Sequence, residues 1–140
     1  MDKQRREKNN CKRKYEYGGV SMKLNYITML VRDIEKSIDF YQRAVEMHVV
    51  RRFHPEIGRI VFMSDAEESI TLEFIQPEKN IETVETKGIV MSYSAKGRLE
   101  EKHGQLAEMG LSPSDISDTP PKPRHFTVAD PDGMRIEFTE

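Results

Sequence analysis

The chain has 140 residues, a net charge of −2 and one cysteine, Cys11. That length suits one domain with a modest core, and the near-zero charge gives no reason to expect a nucleic-acid or membrane partner. A single cysteine excludes a disulfide framework and a cysteine-based metal site within the chain, and with no long apolar run and no signal-peptide pattern the expected location is cytoplasmic.

Residues 1–21 carry seven Lys or Arg and three acids, a net +4 that leaves −6 for the remainder. They show no apolar period and read as a disordered basic tail. Such an arm can bind nucleic acid or an anionic surface. The plainer reading is an upstream extension, with Met22 as the start.

Leu24 to Val31 reads as a strand. Asp33 stands at an N-cap position, and Ile34, Ile38, Tyr41 and Val45 then follow at helical spacing, with Glu35, Lys36, Asp39 and Arg43 on the wet side. Strands are expected near 47–53, 59–64 and 69–76, with turns at 54–58 and 65–68. Residues 77–86 are polar and acidic and read as a linker. A second round begins at about residue 87. Gly88 to Ser94 is a strand. Leu99, His103, Leu106 and Met109 share one helix face that Gly110 can terminate. A weak strand near 114–118 and a proline-rich loop precede a strand over 124–129. Asp130-Pro131-Asp132-Gly133 has the spacing of a type I turn, and Met134 to Thr139 forms the last strand.

The rounds match in register. Leu72-Glu73-Phe74 recurs as Ile136-Glu137-Phe138, 64 residues later, and Val45-Glu46-Met47 matches Ala107-Glu108-Met109, 62 later. Offsets held this closely through helix and strand indicate an internal duplication. The expected fold is α+β: tandem βαβββ units over about 22–76 and 87–140, forming one curled mixed sheet with a central cleft and the helices outside, as a single domain over 22–140.

Alternation places Leu72 and Phe74 on one face of their strand and Glu73 on the other. The last strand likewise buries Ile136 and Phe138 and turns Glu137 away. If the sheets curl together, both glutamates face one cleft. By parity Tyr26, Thr28, Ile89, Met91, Tyr93 and Arg135 share that lining, which suits a small organic ligand with a polar or cationic group. The same pattern also fits an ordinary solvated sheet face. His125 lies on the strand before the last hairpin and is the histidine best placed to join the cleft. His48 and His54 lie near loops, and His103 falls on the apolar stripe of its helix. No Ser-His-Asp or Cys-His arrangement and no phosphate-binding glycine loop is visible.

The segments Asp33-Ile34-Glu35-Lys36-Ser37-Ile38-Asp39-Phe40-Tyr41 and Asp130-Pro131-Asp132-Gly133-Met134-Arg135-Ile136-Glu137-Phe138 resemble the vicinal oxygen chelate superfamily. Glyoxalase I, extradiol dioxygenases, fosfomycin-resistance enzymes and bleomycin-resistance proteins share that fold. The resemblance covers the chain from Met22 to its end. It implies metal-ligand positions on the first and last strand of each unit: Tyr26, Glu73, Ile89 and Glu137. Two carry carboxylates, and two lack the usual imidazole. Such a set favours a hard divalent ion, weakly held, over a firmly bound transition metal. The resemblance also implies a homodimer. Two functions follow. One is a protein that binds a small organic molecule in the cleft without a strongly held metal. The other is a divalent-metal-dependent lyase or isomerase of glyoxalase type, with Glu73 and Glu137 as ligands and Glu137 as the catalytic base.

Overall fold

The computed structural model describes residues 22–140. The basic tail, Cys11 and any role for either lie outside the described residues.

Strand β1 (Ile27–Leu30) leads into helix α1 (Ile34–Arg43). The Asp33 carboxylate accepts hydrogen bonds from the Glu35 and Lys36 amides at 3.1 and 3.3 Å, which caps the helix. The Gln76 side chain takes a third first-turn amide, that of Ile34, at 2.9 Å. Ile34, Ile38, Phe40 and Tyr41 are buried, so the spacing seen in the sequence is the face that packs. Strands β2 (His48–Phe53), β3 (Gly58–Ser64) and β4 (Thr71–Pro77) complete the first unit. Its sheet has the order β1-β4-β3-β2, with β1 parallel to β4 and the rest antiparallel. Gly58 opens β3 with φ +142°, and a Cβ there would sit 2.2 Å from the Gln76 carbonyl oxygen, so only glycine fits this close approach to β4.

The second unit repeats the plan with strand β5 (Val90–Ser94), helix α2 (Leu99–Glu108), and strands β6 (His125–Ala129) and β7 (Arg135–Thr139). The order is β5-β7-β6, again with the first strand parallel to the last. The weak strand expected near 114–118 is reduced to one bridge, Ser117 to His125. Gly110, at φ +78°, ends α2. His103 packs edge-on against Phe126, with ring centroids 5.0 Å apart, and bonds the Ser114 carbonyl at 2.9 Å.

One apolar cluster runs through both units, from Val31, Tyr41 and Phe74 to Leu106, Phe126 and Phe138. Polar ties cross the same seam. The Tyr41 hydroxyl donates to Asp130 Oδ2 at 2.7 Å, and Arg32 donates to Asp132 Oδ1 at 2.9 Å. Each sheet therefore has a face turned to the helices and a face turned away from them.

Candidate functional site

The two glutamates lie on the faces turned away from the helices, and each is held by its neighbouring first strand. In the parallel pairing of β1 and β4, Thr28 stands opposite Glu73, and its hydroxyl donates to Glu73 Oε1 at 2.6 Å. In the pairing of β5 and β7, Ser92 stands opposite Glu137, and its hydroxyl donates to Oε1 at 2.8 Å. Thr28 and Ser92 are 64 residues apart, as are the two glutamates. The duplication has thus preserved a hydroxyl–carboxylate pair in both copies.

This register corrects the parity assigned to β5. Ser92, and with it Val90, shares the Glu137 face; Ile89, Met91 and Tyr93 point the other way. A shift of one residue moves every side chain of a strand to the opposite face. Val90 and Tyr26 are thereby the corresponding residues of the two units, and Ile89 is not. Tyr93 is half-buried, with its hydroxyl 3.9 Å from Met47 Sδ, and burial pushes its phenol up to about 12. Ile89 and Met91 instead line a mainly apolar groove of about 470 Å³, with β1, residues 81–86 and the turn at Asp130, Asp132 and Met134 as its other walls and neither Glu73 nor Glu137 in its lining.

The remaining expected site residues divide between the units. Tyr26 and Thr28 stand with Glu73. The Tyr26 ring packs edge-on against Phe62, with centroids 5.2 Å apart. Arg135 is exposed on the Glu137 face, beside Val90 and Ala129. His125 shares that face too, two pairs along from Thr127, which opposes Glu137. Its Nδ1 donates to the Pro123 carbonyl at 2.9 Å, which fixes the ring.

Lys122 was not legible in the sequence as a site residue. Its Nζ lies 2.5 Å from Glu137 Oε2. The Glu137 side chain is only 7% exposed, so this cation covers an almost wholly buried carboxylate. Burial alone would raise the Glu137 carboxyl. The hydrogen bonds from Lys122 and Ser92, with the charges of Lys122 and His125, outweigh it and hold the group below its usual range. The stabilisation from Glu137 is therefore present above the ordinary glutamate value and is lost as pH falls through its depressed folded value. In Lys122→Met the hydrogen bond and the charge of the ammonium group are lost while Ser92 still donates, so the carboxyl rises toward its usual range and this rise of stability with pH flattens. Urea midpoints of the two proteins between about pH 3 and 6 check this, and the carboxylates common to both cancel in the difference.

A firmly bound metal does not fit these donors. The first-strand positions carry Tyr26 and Val90, Glu137 is already paired to an ammonium group, and no cluster of three or more His, Cys, Asp or Glu suited to a metal occurs among the described residues.

A model described as the Glyoxalase/Bleomycin resistance protein/Dioxygenase superfamily matches residues 23–138. No curated protein matches the chain in sequence. Several solved structures share the fold. TnmS3, an antibiotic binding protein from Streptomyces sp. CB03234, gives a TM-score of 0.67 at 20% identity over 85% of this chain and 98% of that one. A glyoxylase/bleomycin resistance protein/dioxygenase domain from Frankia sp. EAN1pec gives 0.70 at 16% identity over 86% and 98%. The fosfomycin resistance protein FosX from Listeria monocytogenes, complexed with Mn(II) and sulfate, gives 0.67 at 14% identity over 86% and 90%.

Proposed function

The chain belongs to the Glyoxalase/Bleomycin resistance protein/Dioxygenase superfamily, and from that membership we propose that it binds a small organic molecule against the sheet faces that carry Glu73 and Glu137, without a strongly held metal. The observation that carries this reading is the ion pair of Lys122 with Glu137. An ammonium group held at 2.5 Å supplies the positive charge that a metal ion would bring to that carboxylate, and it excludes one while it stays. The Tyr26, Thr28, Arg135 and His125 side chains are the proposed ligand contacts. Antibiotic binding by TnmS3, a protein of the same fold, agrees with such a role.

The second reading is a divalent-metal-dependent lyase or isomerase in which Glu73 and Glu137 bind the ion and Glu137 moves the proton. The conserved geometry of the two hydroxyl–carboxylate pairs favours it. It requires Lys122, which is half exposed on a loop, to swing away.

The proposal includes a homodimer and a single folding domain over 22–140 with units at 22–76 and 87–140. Ile27 and Leu30 on edge strand β1, and Ile89 and Val90 at edge strand β5, are each at least 42% exposed. Unpaired apolar edges of this kind are where a second chain would add. No helix among the described residues is long and apolar enough to cross a membrane, and a cytoplasmic setting is part of the proposal. Native mass spectrometry of untagged protein reads both claims at once. The expected spectrum is a dimer with no stoichiometric divalent ion. A retained Mn, Zn or Ni per chain would overturn the metal-free reading, and a monomer at micromolar concentration would overturn the dimer.

A further inference from the structure

The two glutamates are equivalent by duplication but not by surroundings. Glu137 is buried under Lys122. Glu73 is half-buried and accepts from Thr28, and among the described residues no Lys, Arg or His forms an ion pair with it. The first unit therefore presents a carboxylate without a counter-charge.

What stands beside that carboxylate is aromatic. The register places Thr28, Glu73, Phe62 and Arg51 opposite one another across β1, β4, β3 and β2. Because β4 lies between β1 and β3, the Tyr26 ring reaches across the strand that carries Glu73 to meet Phe62. Phe53 extends the row, 5.8 Å from Phe62. The Arg51 guanidinium lies 5.2 Å from the Phe53 centroid, so that ring already has a cation. Tyr26 and Phe62 have none from the described residues, and Tyr26 is 46% exposed.

Aromatic rings attract cations through their electron-rich faces, and a carboxylate adds a directed acceptor. An inorganic cation would use Glu73 and leave the rings idle. An anion would meet Glu73 with like charge. A neutral ring would stack but leave the carboxylate without a counter-charge. We propose that the Glu73 face binds an organic cation: a flat, ring-bearing molecule whose ammonium or amidinium group pairs with Glu73 while its ring packs on Tyr26 and Phe62. This rests on the reading of that face as a small-molecule site, and it names the ligand class.

Three naphthalene probes of one shape separate the charges: 2-naphthylmethylammonium, 2-naphthylmethanol and 2-naphthoate, titrated calorimetrically at low salt. The ammonium is expected to bind about tenfold more tightly than the alcohol, and the naphthoate most weakly. Glu73→Gln keeps an acceptor for Thr28 and should abolish the preference for the ammonium without changing alcohol binding. Tyr26→Ala should weaken both by about fivefold. Equal or tighter binding of the naphthoate, or an unchanged ammonium affinity in Glu73→Gln, overturns the cationic class while a Tyr26-dependent ring still supports small-molecule binding there. No binding by any probe at millimolar concentration overturns both.

Discussion

Replacing Phe74 with alanine is expected to lower the unfolding free energy by about 3–5 kcal/mol, the range for truncating a fully buried phenylalanine. Phe74 has no solvent exposure, and its ring lies 4.9 Å from that of Tyr41. The cavity would open between β4 and α1, where Tyr41 also reaches the second unit through Asp130. Neighbouring structure cannot collapse into it without moving that hydrogen bond, so the upper half of the range applies. A domain of this size has about 5–15 kcal/mol in total. The urea midpoint should therefore fall by about 2 M for a slope of about 2 kcal/mol/M. Glu73, next in sequence, faces the other side; its replacement by glutamine should leave the midpoint nearly unchanged.

Asp130→Ala is expected to cost about 3–4 kcal/mol, although the residue sits in a turn, where substitutions are usually mild. Asp130 accepts from the Tyr41 hydroxyl at 2.7 Å, from the Asp132 amide at 2.9 Å and from the Met134 amide at 2.8 Å. Its removal strands a buried phenol and loosens the turn into β7. Asp130→Asn keeps acceptors for the amides and should cost about 1 kcal/mol. The two substitutions also differ from wild type in pH dependence. Burial raises the Asp130 carboxyl above its usual range despite these hydrogen bonds. Its contribution is therefore full below the ordinary aspartate value and declines as pH rises through the raised folded value. That decline is opposite in sign to the rise due to Glu137, and it should be absent from either variant. Denaturation midpoints at a series of pH values separate the two.

The repeat, both helices, the N-cap at Asp33 and the buried faces of β4 and β7 were legible because periods of 3.6 and 2 are written in the side chains themselves. The side on which β5 presents its residues was not. Ile89-Val90-Met91-Ser92-Tyr93 alternates with apolar residues in both sets, and only pairing with β7, 45 residues away, decides which set faces Glu137. A clue was present, since the 64-residue offset that relates the glutamates also relates Thr28 to Ser92. Lys122 left no such trace, because a proline-rich loop has no period to betray where a long flexible side chain will end. Asp130 was visible as a turn former, but Tyr41, its partner 89 residues earlier, was visible only as part of a helix stripe. Phe62 likewise joined the Glu73 face through strand order, which a linear pattern does not carry.

The lysine on the loop has an evolutionary consequence. When a gene segment is copied, both copies begin with the same capacities and one is released from selection. Here the second copy carries its own counter-ion, on a segment of the kind that mutates most freely. The charge difference between the two glutamates thus hangs on a locus that drift can reach in a single codon. Loss of the amine at position 122 would leave the Glu137 carboxylate without its counter-ion, as Glu73 is, and so bring the charges of the two halves closer to one another without any change in their strands or helices.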